Sequence, residues 1–154
     1  MKVTLNYQEQ VIVKEIALAR HLTNIDKERK DMKVGDGDDL QINIEGLAGE
    51  FAFCKLKNIY PDMSIECPLP FDCKIDKGFI DVKTTHYSNG MLLVPKWKSN
   101  YPIPSYFALM IGIMPTYEFK GYFPGAEMFK PENIVNKGYK DTYGISQDRL
   151  IKYL

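Results

Sequence analysis

Residues 105–114, SYFALMIGIM, carry no charge over ten consecutive positions. A β-strand turns alternate side chains to opposite faces, so an apolar run without alternation predicts a strand covered on both sides. A sheet with both faces covered needs a layer of structure on each. The chain has 154 residues, 45% of them hydrophobic, enough to bury such a core without disulfide staples. One domain, residues 1–154, is expected. The following segment, TYEFKGYF at 116–123, alternates as a further strand.

The layers have candidates. Ile12, Ile16, Ala19, Leu22 and Ile25 recur at steps of three and four, which predicts an amphipathic helix over about 9–30. After a loop rich in Gly and Asp, Leu40, Ile44, Leu47, Phe51 and Cys54 repeat the period and predict a second helix, capped by Asp38 or Asp39 and ended before Pro61. From Met63 the texture changes to short β-like runs. FDCKI and FIDVKTTH flank DKG, a turn in which Gly78 can take a positive φ, so a β-hairpin is expected. The tail, punctuated by Pro and Gly, is expected to close in a short helix or turn with Ser146 as N-cap. Helices followed by strands predict an α/β (α+β) fold with a central mixed sheet.

Lysine plus arginine and aspartate plus glutamate balance at 20 each, so attraction to a polyanion has to come from local clusters. No apolar run reaches the length of a membrane span or a secretory signal, and a cytoplasmic protein is expected. Cys54, Cys67 and Cys73 lack CxxC spacing and predict packed, reduced thiols. The Asp-rich stretch from Asp36 departs from a calcium loop, with Gln41 where that loop needs Gly.

The charges of the hairpin ask for an explanation. Asp81 and Lys83 share one face of their strand, and the fold-back of the hairpin brings Asp72 towards Asp81. Two carboxylates about 4 Å apart repel by roughly 4 kcal/mol at an effective dielectric near 20, so something cationic must offset them. Lys83 does so in part, and Mg²⁺, a hard ion held by one or two carboxylates, would do more. Such a site suits phosphodiester hydrolysis. As an isolated set, the same residues make cross-strand ion pairs on an exposed strand, contributing about 0.2–1 kcal/mol each.

Glu50 in the second helix, Asp72 opening the hairpin, then Asp81-Val82-Lys83 on the next strand form an ordered set. Together with GLAGEFAF and FDCKIDKGFIDVKTT, it resembles the PD-(D/E)XK nuclease superfamily over residues 46–122, and is similar to small nuclease-like proteins common in phages. Phe71 stands where the family's Pro precedes the first aspartate, and Asp76 in the turn is a second candidate for that aspartate. The resemblance implies a restriction-endonuclease-like three-layer core, a central mixed sheet flanked by helices. It also implies a metal-dependent nuclease using Mg²⁺ or Mn²⁺ on DNA in a bacterial host or phage-infected cell, with a homodimer as one assembly. Asp72 and Asp81 would be metal ligands, the Val82 carbonyl a further oxygen, Glu50 a ligand directly or through water, and Lys83 the group that positions the nucleophile. The alternative is a module that keeps the fold and binds nucleic acid or protein without turnover. His86, Lys96, Trp97 and Lys98 interleave basic and aromatic groups just beyond the site, where they could hold phosphates and stack on an unpaired base. Arg20, Arg29 and Lys33 could extend that face.

Overall fold

The computed structural model describes residues 1–26, 39–66, 69–137 and 140–154. A short strand, β1 (Lys2–Thr4), leads into α1 (Tyr7–Asp26). The helix starts ahead of its apolar period because Asn6 and Glu9 cap it reciprocally. The Asn6 side-chain oxygen accepts the Glu9 N–H at 2.9 Å, and the Glu9 carboxylate accepts the Asn6 N–H at 2.6 Å. The expected continuation to Lys30 lies outside the described residues, as do Arg29, Lys33, Asp36, Asp38 and Cys67. The second helix, α2 (Asp39–Lys57), buries no residue before Leu47 and then nearly every residue from Leu47 to Cys54. Leu40 and Ile44 stay partly exposed.

The hairpin forms as expected, from β2 (Cys73–Ile75) and β3 (Gly78–Thr85), with Ile75 paired to Gly78 across the two-residue turn Asp76-Lys77. Gly78 has φ +123°, a conformation that costs a residue with a Cβ and costs glycine little. Then come β4 (Leu92–Pro95), a 3₁₀ turn (Lys96–Asn100), β5 (Tyr106–Ile113) and β6 (Thr116–Pro124). One turn of helix, α3 (Gly125–Met128), precedes β7 (Ile134–Lys137) and β8 (Lys140–Ile145).

Two sheets result. The larger runs β1-β6-β5-β3-β2, with β3 and β5 parallel and the other pairs antiparallel. The smaller is antiparallel, β4-β8-β7. The fold is therefore mixed α+β, and the apolar run is β5, buried on both faces. Ala108 and Met110 join the core beneath α1 and α2, while Phe107, Leu109 and Ile111 join a second core with Leu92, Val94, Tyr143 and Ile145.

Two expectations need correction here. Long helices flank the large sheet on one face only, because the crossover from β3 to its parallel neighbour β5 is made of β4 and a 3₁₀ turn where a helix is usual. The other face is covered by the three-stranded sheet. The tail holds strands β7 and β8 before its closing 3₁₀ turn (Gln147–Arg149); Ser146 stands at the N-cap position without a side-chain cap, and the turn is tied down by the Gln147 amide donating to the Ser88 and Gly90 carbonyls and by Arg149 donating to the Asn133 side-chain oxygen. No helix among the described residues is long and apolar enough to cross a membrane.

The closest approach of α2 to the sheet is at Gly49. A methyl group there would lie 2.0 Å from the Thr84 hydroxyl oxygen and 3.0 Å from Thr84 Cβ. The branched threonine cannot rotate both substituents away. Gly49→Ala is therefore expected to destabilise by about 1–3 kcal/mol, and to lower the melting temperature by roughly 2–12 °C. Thermal melts of Gly49→Ala and of Gly49→Ala/Thr84→Ala check this; the double variant should recover part of the loss, and a single variant that melts like the wild type would contradict it.

Candidate functional site

The hairpin ladder ends before its second strand does. Cys73 pairs with Ile80, and the Asp72 N–H still donates to the Ile80 carbonyl at 3.0 Å, but β3 runs on to Thr85 without β2 beside it. At that point the Asp72 carboxylate replaces the missing strand and accepts the Val82 N–H at 2.6 Å. Backbone geometry therefore puts Asp72 beside Asp81. An exposed sheet edge has been capped with a charge.

Alternation along β3 sends Ile80 and Val82 into the core under the helices and turns Asp81 the other way, where it is 1% exposed. A buried carboxylate has to be paired. Asp81 is paired twice: Lys83, two residues on and on the same face, donates to one oxygen, and Lys98, from the 3₁₀ turn after β4, donates to the other. Glu50 projects from α2 next to Gly49, where the helix presses against β3.

The electrostatics show that these groups act on one another. Burial pushes Glu50 well above the usual carboxylate range, and the charges of Asp72 and Asp81 push it further, against Arg20 and Lys83. Burial, then Asp81, lifts Asp72 to about 6, against Lys83, the Val82 N–H and Lys98. Asp81 moves the other way: burial raises it, but Lys83 and Lys98 outweigh burial and hold it low. Lys83 is raised, because Asp81, Asp72 and Glu50 together overcome its desolvation. Groups whose environments drive neighbouring carboxylates apart in this way are what acid–base and metal sites require.

A cleft of about 830 Å³ opens beside the cluster, between α1 and α2 on one side and β3, β4 and the 3₁₀ turn on the other. Glu50, Val82, Lys83 and Lys98 line it, whereas Asp72 and Asp81 lie behind that lining. His86 and Trp97 also line it. The His86 ring sits 3.9 Å from that of Tyr87, and Trp97 meets Tyr101 edge-on at 5.5 Å. Lys96 is elsewhere, its ammonium 3.5 Å from Asp141 on β8. Arg20 reaches the cleft while its guanidinium donates to the carbonyls of Ser64 and Asp62, at 2.8 and 2.9 Å.

No family model, curated protein or solved structure matches this chain.

Of the expected set, Glu50, Asp72, Asp81 and Lys83 come together, and the turn residue Asp76 stays at the far end of the hairpin. Lys98, expected on a nucleic-acid face, belongs to this cluster as a counter-ion of Asp81. Nothing in the spacing signals that pairing, which joins residues 17 apart through a crossover. Among the described residues, no three His, Cys, Asp or Glu side chains converge closely enough to hold a metal ion as they stand. The donor set still fits a hard cation: the acids offer only oxygen, Asp81 is buried, and its oxygens are held by ammonium groups that a cation could replace.

Proposed function

We propose that the protein is a metal-dependent nuclease that hydrolyses DNA phosphodiester bonds, with a site of the PD-(D/E)XK kind. The observation that carries this is the convergence of Asp72, whose carboxylate accepts the Val82 N–H at 2.6 Å, with Asp81 and its partners Lys83 and Lys98, beside a cleft that both lysines and Glu50 line. A structural ion pair needs two groups. A buried Asp81 with two lysines on it and two more carboxylates close by costs stability that a solvated strand face would never incur.

Asp72 and Asp81 would hold Mg²⁺ or Mn²⁺, with Glu50 as a further oxygen, direct or through water. The ion would supply Lewis-acid polarisation of a phosphate oxygen and a more acidic bound water. The chain's own residues do the rest. The Val82 N–H fixes the orientation of the Asp72 carboxylate. Asp81 keeps Lys83 protonated, so its ammonium can stabilise charge that develops on the phosphate and orient the attacking water. Glu50, which burial makes hold its proton more tightly than an ordinary carboxylic acid, lines the cleft and would be the acid–base group there. His86 and Trp97 line the cleft, where an unpaired base would meet aromatic groups.

The test is a panel of plasmid, linear, single-stranded and branched DNA with Mg²⁺ or Mn²⁺, for wild type, Asp72→Asn and Lys83→Met. Cleavage by the wild type and a loss of at least about a hundredfold in both variants is expected, as for other groups that act only in the transition state. Equal cleavage by all three would overturn the proposal. One observation favours the alternative of a binding module without turnover: both oxygens of Asp81 are already occupied by lysines. Metal binding with no cleavage of any substrate would decide for it.

A further inference from the structure

Asp81 has two ammonium partners, and they are not held alike. Lys83 is anchored by strand register and sits in the fields of Asp81, Asp72 and Glu50 together. Lys98 comes from a five-residue 3₁₀ turn, lines the cleft, and reaches Asp81 from outside the sheet. Its charge is also felt at Asp72. Its ammonium contacts Asp81, whose carboxylate stands beside that of Asp72, so it occupies an oxygen that a cation shared by the two would need.

We propose that Lys98 is a built-in competitor for the metal: its ammonium holds the Asp81 oxygen that the cation would take, so that metal binding and release of Lys98 are one event. This rests on Asp72 and Asp81 being the metal-holding pair. Charge balance supports the exchange. Counting Asp72 and Asp81 alone, two carboxylates against two ammonium groups are neutral, and adding a dication without expelling a cation would leave that pair with two uncompensated charges, which low-dielectric surroundings penalise heavily. Expelling Lys98 removes one of them. The released side chain faces the cleft, where a phosphate is the group that would hold it. Metal and nucleic acid should then tighten each other's binding by the same factor.

The experiment measures Mn²⁺ binding to the full chain by calorimetry, without DNA, for wild type, Lys98→Met, Lys98→Gln and Asp81→Asn, beside cleavage assays of the same proteins. The Gln variant keeps a donor for Asp81 and removes only the charge, which covers the case in which the Met variant fails to fold. Both Lys98 variants are expected to bind Mn²⁺ about tenfold tighter or more, and Asp81→Asn to lose binding. Equal or weaker binding in the folded Lys98 variants overturns the inference, even if the wild type cleaves DNA. Tighter binding with no cleavage by any protein sustains it and defeats the nuclease proposal. No Mn²⁺ binding by any variant defeats both.

Discussion

Asp72→Asn is expected to melt higher than the wild type at pH 7.5 and to lose that advantage near pH 4. The folded protein raises Asp72 to about 6, chiefly by burial and then by repulsion from Asp81. An unfolded aspartate titrates near 3.9. A raised acid holds its proton more tightly when folded, so its stabilising contribution is complete below the unfolded value and is lost as pH climbs to the folded one. Between about pH 4 and pH 6 the wild type therefore loses up to about 3 kcal/mol through this one group. Asparagine has no proton to lose, and its amide oxygen can still accept the Val82 N–H. At pH 7.5 the variant should gain at most that amount, a rise of roughly 6–12 °C for a chain of this size, while cleavage falls to background. Melts from pH 4 to 8 in a chelator measure it, and a variant no more stable than the wild type at pH 7.5 would show that Asp72 is not strained. Stability gained where activity is lost is the usual mark of a working site.

Much of this site was legible because β-structure has a period of two. Once DKG was read as a turn with Gly78 in a left-handed conformation, the register of the hairpin followed, and with it the approach of Asp72 to Asp81 and the shared face of Asp81 and Lys83. The apolar run at β5 likewise announced a strand covered twice. What covered its second face was not legible. LLVP at β4 and DTYGI within β8 are too short and too interrupted by Pro and Gly to stand out as strands, and they acquire their partners only through pairing residues some 50 apart. The start of α1 was written plainly in Asn6-x-x-Glu9, but a search for apolar period passes over a signal made of capping residues. Lys98 was legible only in part. Its neighbours Lys96 and Trp97 suggested a binding loop, whereas its partner is fixed by how the crossover folds back on β3, which no local pattern encodes.

Asp81→Asn should move stability the opposite way, although its carboxylate lies beside that of Asp72. Burial raises Asp81, but Lys83 and Lys98 outweigh it, so the ionised form is favoured by the fold. Removing that charge leaves two ammonium groups without their main partner. Breaking a buried pair costs about 3–5 kcal/mol when the survivor cannot reach water. Here both lysine side chains retain about a quarter of their surface in solvent, 24% and 23%, and can relax outward, so the lower figure of about 2–3 kcal/mol is expected, or roughly 4–12 °C in melting temperature. A lowered acid contributes stability above its unfolded value that disappears as pH falls through the folded one; the gap between wild type and variant should persist at neutral pH and close in acid. Asp81→Asn/Lys98→Met should recover part of the loss, since one unpaired cation goes with the anion. If Asp72 and Asp81 were merely rungs of a solvated strand, both substitutions would change stability by less than about 1 kcal/mol and in no fixed direction. Opposite signs at two adjacent carboxylates are what a charge cluster demands in which the lysines hold one acid low and burial, with the repulsion of its neighbour, strains the other.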